Sequence, residues 1–516
     1  MASSVVVLSM LFFYPLGSDT MGIQWVALRL VRHGLLPYVG SWEPNFPGVL
    51  VFHLLPAYLF GNSEIGFRLC EIVFHLGVVL VLYNFLLRWQ RPRTAFISCF
   101  LYCIILVGGG TLYCGQRDTF AAGLLIIALF SWCKAEAGST RHLLISGFLF
   151  GLIALIRPVY APLPLTAILI FHKRFAFKQI AGFLIATIAP LVLSILPYLW
   201  TGTLIEYYDT TILFLLRLYT HVITPSTEAL RIVLYHYSPL FVFAVVGVIP
   251  VRQRQMSPSI LIKSLSREER KLFVWMIIEI AVVIAIQQRF LIYHFALLLV
   301  LLSPIATVGI ERAIQWLPRR IVWRVLAAIL SSLLVIGFFI QMSAPIRKGA
   351  EYILSLKWAN GEYGAPFLTD YGKMCRDMDD SVIHYLSLPQ NAAGSVEICS
   401  YDARLRVRLD REEATRFLYF QAFSVTDAQK GHPNFQLAWR REFLNRILSV
   451  PARFVILNGY MMYWNFLPPR YGVDRDFREL DSILHTDYTL DTTFSSNEIY
   501  RIKSFTPTIH NHAGQR

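Results

Sequence analysis

Residues 65–87, IGFRLCEIVFHLGVVLVLYNFLL, form a mostly apolar run. As a helix rising about 1.5 Å per residue, such a run is long enough to cross the ~30 Å hydrocarbon layer of a membrane. Similar runs recur at 3–16, 95–106, 120–133, 143–156, 159–171, 180–199, 232–251, 272–286, 295–310 and 321–340. Several are shorter than the ~20 residues an upright span needs, so their ends are poorly defined by hydropathy alone. The 516-residue chain is 55% apolar and 16% charged, with a mean hydropathy of +0.52, too apolar for an ordinary water-soluble fold. These runs predict a polytopic α-helical membrane protein of about eleven transmembrane helices.

The formal net charge of +14 is concentrated in the membrane part. From Ser343 onward there are 21 Lys and Arg against 20 Asp and Glu, leaving 26 basic and 13 acidic residues in the first 342. The basic clusters are Arg88/Arg91/Arg93, Lys134/Arg141, Lys173/Arg174/Lys178, 252–271 and Arg312/Arg319/Arg320/Arg324. They alternate with apolar runs so that all fall on one side, which the positive-inside rule makes cytoplasmic. A nucleic-acid partner is excluded, because short basic loops between spans make no continuous basic face. The other side then carries 19–61, 109–117, 201–230, 287–294 and everything after about 341. Of the seven cysteines, only Cys375 and Cys399 fall in that external tail, and a disulfide between them stays open. Residues 1–17 lack a basic start and a small-residue cleavage site, which favours an uncleaved first span over a signal peptide.

Just before the quoted run lies 19–61, DTMGIQWVALRLVRHGLLPYVGSWEPNFPGVLVFHLLPAYLFG, where a simple helical bundle would have a short turn. It concentrates Asp19, Arg29, Arg32, His33, Glu43, Asn45 and His53, interrupted by Pro37, Pro44 and Pro47. Residues 20–33 read as an amphipathic helix lying in the membrane interface, and 49–60 as a second apolar helix too short to cross. The expected domains are a membrane module over 1–342 that includes this external loop 18–61, a soluble α/β domain over 343–505, and a disordered tail at 506–516. Within the α/β domain, helical patterns at 414–423 and 437–448 alternate with β-like runs at 395–398, 454–457 and 498–502.

A carboxylate at a membrane surface, with cationic groups on neighbouring loops, suits transfer from a phosphate-linked donor. The carboxylate takes the acceptor's proton while a cation neutralises charge on the leaving phosphate. Asp19 is the candidate, with an N-terminal helix cap as the alternative. Asp118 either lines the donor site or pairs with Arg117 or a neighbouring helix. Arg157 either grips phosphate or snorkels from a helix end. Arg289 and His294 sit at a later span's mouth, and His294 has a structural imidazole as its alternative. Tyr207, Tyr208 and Asp209 in the 201–230 loop are candidates for sugar or acceptor contact, with interfacial tyrosines as the plain reading. Glu279 falls mid-span and is assigned no role. Metal dependence stays open, since no His, Cys, Asp or Glu group has ligand spacing.

Several stretches resemble the GT-C superfamily of glycosyltransferases, in the branch of dolichyl-phosphate-mannose protein mannosyltransferases and aminoarabinose transferases. They are Asp19 through Tyr38, 43–48 EPNFPG, 61–69 GNSEIGFRL, 115–118 GQRD, 151–158 GLIALIRP, Arg289 to Phe295, 401–419 and 453–457. The resemblance implies a GT-C fold with an extracytoplasmic C-terminal α/β domain in a cell (inner or plasma) membrane. It also implies an inverting glycosyltransferase that moves a sugar from a polyprenyl-phosphate donor to a lipid, glycan or protein acceptor. Asp19 matches the family's catalytic aspartate. Glu43, Asn45, Arg117, Asp118, Arg157, Tyr207, Arg289 and His294 are the implied substrate-binding residues, and Glu43 would be the ligand of any divalent metal ion. Two departures stand out: Arg157 occupies a position where relatives often carry Lys, and Pro47-Gly48 replaces the more usual Pro-Pro. A transporter or lipid flippase is the rival reading, because buried charges in a helical bundle also mark substrate paths. Against it, no repeat-like halves appear and the charged residues gather on one face.

Overall fold

The computed structural model describes residues 2–14, 16–110, 113–136, 138–171, 174–219, 227–248, 267–287, 290–316, 370–424, 431–462, 465–467, 473, 477–494 and 497–504. In chain order its first helices are α1 (Ala2–Ser9), α2 (Ser18–His33), α3 (Leu50–Phe60), α4 (Glu64–Leu86), α5 (Pro92–Gly108), α6 (Arg117–Glu136) and α7 (Thr140–Ile156). They are followed by α8 (Pro162–Phe171), α9 (Phe177–Thr201), α10 (Leu204–Tyr208), α11 (Thr227–Val248), α12 (Arg267–Gln287) and α13 (Ala296–Trp316). A helix lies over each apolar run expected from the sequence up to 295–310, while the run at 321–340 lies outside the described residues. Among the described residues four helices are long and apolar enough to cross a membrane, namely Glu64–Leu86, Arg117–Ala135, Phe177–Thr201 and Tyr293–Arg312. On α9, Ile185, Leu193 and Trp200 are exposed apolar side chains. A helix that exposes hydrocarbon along most of its length is stable in lipid rather than water. The chain is an integral membrane protein.

Its residues fall into two compact units: 1–17, 45–200 and 223–367 form the first, and 18–44, 201–222 and 368–516 the second. Ser18–Pro44 and Thr201–Val222 group with the C-terminal residues.

In the first unit α4, α5, α6 and α13 supply much of a continuous apolar core, including Val78, Leu82, Ile104, Leu125, Leu297 and Leu299. The short 3₁₀ turn Pro47–Val49 packs on the end of α7. Here Gly48 is required by close approach, since a Cβ at that position would lie 2.6 Å from the Ile156 nitrogen. This accounts physically for glycine after Pro47. Gly48→Ala must push the turn away from α7 and should destabilise the protein by about 1–3 kcal/mol, read as a lower thermal midpoint in detergent. An unchanged midpoint would mean the turn yields freely.

In the second unit β1 (Val396–Cys399), β2 (Phe454–Asn458), β3 (Tyr460–Met462), β4 (Asn465–Leu467), β5 (Tyr488–Phe494) and β6 (Asn497–Ile502) are the strands. Four of them form one sheet in the order β1-β2-β6-β5, with β1 and β2 parallel and the other pairs antiparallel, while β3 and β4 make a separate hairpin. Every residue of β2 is buried, as befits a central strand covered on both faces. Val382 and Leu386 of the helix Asp370–Ser387 and Leu405 of the helix Arg404–Leu409 complete its core. The β runs read from sequence fall on β1, β2 and β6, and the 437–448 pattern on the helix Asn434–Ser449. Residues 414–423 differ: only Gln421–Ser424 is helical. Their backbone is drawn into other bonds, with Arg416 O accepting from Trp42 N at 2.7 Å and Phe420 N donating to Ser400 O at 2.7 Å. Cys399 is a buried free thiol, and the Cys375 side chain lies outside the described residues.

A buried ion cluster supports this unit. Arg406 meets Glu413 at 2.8 Å and Glu397 at 3.6 Å, and Glu397 accepts from the Thr415 N–H at 2.9 Å and its hydroxyl at 3.1 Å. Burial pushes the Glu397 carboxyl up to about 7, with Arg406 opposing and Glu413 adding to the rise. A carboxyl raised on folding contributes stability that is complete below its unfolded value near 4.5 and is lost as the pH climbs through about 7. The thermal midpoint of the wild type relative to Glu397→Gln should therefore fall between pH 5 and 8. A difference that stays flat over that range would show that Glu397 ionises as it does in water.

Candidate active site

Arg157 and Asp118 are brought together by two helix ends. Arg157 precedes Pro158, whose ring disfavours helical backbone at the residue before it, and Arg157 is extended at φ −143°, ψ 105°. So α7 stops there, with the Arg157 N–H closing on Ile153 O at 2.9 Å, and Pro158–Tyr160 forms a 3₁₀ turn. Asp118 lies in the first turn of α6, where exposed helix N–H groups favour a carboxylate. That turn is set by Gly115 at φ +76°, whose N–H donates to the Glu71 carboxylate. Glu71 is in turn ion-paired with Arg68 one turn back on α4, and Arg68 Nε donates to Tyr14 O at 3.1 Å. Both members of the pair are fully buried, so it reads as a post that holds the loop from which Asp118 projects.

The guanidinium of Arg157 is held on two sides. Its Nη1 lies 2.6 and 2.7 Å from the two Asp118 oxygens, while Nη2 lies 3.3 Å from Gln287 Oε1 and 3.2 Å from His294 Nε2. The Tyr160 hydroxyl approaches Asp118 at 3.4 Å. A guanidinium has only donors, so the His294 nitrogen facing it is the unprotonated one, and the ring's proton belongs on Nδ1. Asp118 is 0% and Arg157 11% exposed at the side chain. Arg117, partly buried, follows Gln116 at the start of the same helix. Two arginines against one aspartate leave the α6 end with surplus positive charge, and an arginine already fixed in its fork geometry is suited to a phosphate.

These positions decide several readings left open by the sequence. The partner of Asp118 is Arg157 rather than Arg117, and Arg157 points into protein rather than snorkelling outward. Asn45 is half-buried in the same unit, just before the Pro47–Val49 turn. Arg289 lies outside the described residues. Tyr160 and Gln287 join the cluster without having stood out in the sequence. Tyr160 had a signal, since a residue three after Arg157 in a 3₁₀ turn falls on the same side. Glu279 bonds the Thr166 hydroxyl at 2.7 Å, linking α12 to α8.

The second unit holds the remaining candidates. Asp19 is half-buried inside the first turn of α2, not at the preceding cap position. Thr20 to Leu28 are buried without a break, so α2 is enclosed by protein rather than lying with one face in lipid. Arg29 pairs with Glu413 at 3.2 Å, Arg32 with Asp410 at 3.2 Å, and the Ser18 hydroxyl accepts from Ala403 N at 3.4 Å. Glu43 is buried, and Tyr207 packs edge-on to Tyr38 with ring centres 5.4 Å apart. Among the described residues no three His, Cys, Asp or Glu side chains converge as a metal site.

Residues 44–200 match the family of dolichyl-phosphate-mannose-protein mannosyltransferases, a stretch that contains Asn45, Arg117, Asp118 and Arg157. In structure the chain is similar to ArnT from Cupriavidus metallidurans bound to undecaprenyl phosphate, with a TM-score of 0.59 and 12% identity over 97% of this chain and 96% of that one. It is similar to the apo state of the same protein at a TM-score of 0.56 and 12% identity, over 96% and 95% of the two chains. It also resembles the oligosaccharyltransferase of Archaeoglobus fulgidus in complex with Zn and sulfate, at a TM-score of 0.50 and 14% identity over 88% and 67%. No curated protein matches the chain by sequence. The chain thus has the fold of the GT-C glycosyltransferases and, over residues 44–200, a sequence match to the dolichyl-phosphate-mannose-protein mannosyltransferases.

Proposed function

We propose that the protein is an inverting glycosyltransferase that takes one sugar from a polyprenyl-phosphate carrier and passes it to a hydroxyl acceptor on the external face of a cell membrane. The C-terminal sheet and its helices lie on that face in this reading. The observation that carries it is the Arg157 guanidinium, held by Asp118, Gln287 and His294 inside a membrane helix bundle. Asp118 balances one of the two arginines at this helix end, and the positive charge left over suits a lipid phosphate, the anion a membrane presents.

Asp19 accepts the acceptor's proton as its oxygen bonds to the anomeric carbon. The bond from that carbon to the phosphate oxygen breaks on the opposite face, which inverts the configuration. Negative charge grows on the leaving polyprenyl phosphate, and Arg157 offsets it. Asp118 keeps the guanidinium aimed and charged, and His294 and Gln287 fix its other edge.

Purified protein in vesicles, supplied with polyprenyl-phosphate sugar labelled in the sugar, tests this directly. Native membrane extract serves as the acceptor source. The expected result is label in a new glycoside together with free polyprenyl phosphate. Label that crosses the vesicle wall while still on its carrier would contradict transfer and support the transporter reading.

A further inference from the structure

Gln287, the last residue of α12, is the least explained member of the Arg157 cluster. Its amide is oriented without ambiguity: the atom 3.3 Å from Arg157 Nη2 must be the acceptor, because a guanidinium cannot accept. The Nε2 group therefore faces the other way, and it is buried with no hydrogen-bond acceptor among the described residues. A buried amide donor left unmatched is destabilising, and a protein tolerates one where a ligand supplies the missing acceptor. A second unmatched donor lies at the start of α6, where Arg117 Nε is also buried with no acceptor among the described residues. Donors exceed acceptors here, and the surplus charge is positive. Both imbalances are cancelled by one oxygen-rich anion.

From this geometry we infer that Gln287 is a donor-binding residue, whose Nε2 hydrogen-bonds a phosphate oxygen of the carrier lipid while its Oε1 steadies Arg157. The inference rests on the phosphate reading of Arg157 and extends it to a neutral side chain. It separates two roles that one amide performs at once, steadying the guanidinium through oxygen and gripping the ligand through nitrogen.

Gln287→Glu divides these roles, because it keeps an oxygen to accept from Arg157 and replaces the donor with a second oxygen. The measurement is the affinity of the full-length protein in detergent for a short-chain polyprenyl phosphate, followed by intrinsic tryptophan fluorescence, alongside Gln287→Leu and Arg157→Lys. Loss of a hydrogen bond to a charged acceptor is worth about 1.5–3 kcal/mol, so Gln287→Leu should weaken binding about 10- to 100-fold and Gln287→Glu at least as much. Thermal midpoints should show Gln287→Glu to be folded. If Gln287→Glu binds as the wild type does while Arg157→Lys is impaired, Gln287 only supports Arg157 and the inference fails alone. If Arg157→Lys also binds normally, the phosphate reading fails and the inference goes with it.

Discussion

Asp19→Asn is expected to fold, to bind the donor, and to turn over about 10²- to 10⁴-fold more slowly than the wild type, the span that general-base catalysis supplies. The substitution is close to isosteric and removes the negative charge together with the capacity to take a proton. Asp19 is half-buried in the first turn of α2, where a negative charge contributes about 0.3–1 kcal/mol through the helix dipole, so the structural loss is small. The α2 helix is moreover held independently by the Arg29–Glu413 and Arg32–Asp410 pairs. The loss should thus appear in kcat while the KM for the donor stays within about twofold. Unchanged turnover would refute the base assignment, and a matching fall in donor affinity would move Asp19 into the binding site.

Arg157→Lys is expected to raise the donor KM about 10- to 100-fold. Lys keeps the charge but not the fork that reaches Asp118 on one side and Gln287 and His294 on the other. Arg157→Ala is a less clean test, because it strands the fully buried Asp118, and breaking a buried pair costs about 3–5 kcal/mol. Removing both charges, as Arg157→Met with Asp118→Asn, should restore much of that stability without restoring donor binding. That divergence between midpoint and affinity separates a cation serving the donor from one serving the fold. Recovery of both together would leave Arg157 as a structural residue.

Much of this was legible in the sequence because membrane helices advertise themselves. The runs at 65–87 and 180–199 fall on α4 and α9, and β-like runs fall on β1, β2 and β6. The site was legible in its residue types but not in its pairings. Sequence marks Asp118 and Arg157 as expensive charges, whereas their meeting depends on where α6 begins and α7 ends, which Gly115 and Pro158 set locally. The enclosure of α2 was not legible, because a helix with polar residues on one side looks alike whether it faces lipid headgroups or a protein wall lined with Glu413 and Asp410. Gln287 was hidden for a simpler reason. A single amide at the end of a span carries no pattern, and only its distance to Arg157 gives it meaning.

The most direct measurement is an experimental structure of the full chain with a polyprenyl phosphate bound. The expected result places the phosphate within hydrogen-bonding distance of the Arg157 guanidinium, with Asp118 still paired behind it. A carrier phosphate bound elsewhere, with the Arg157–Asp118 pair closed and untouched, would contradict it.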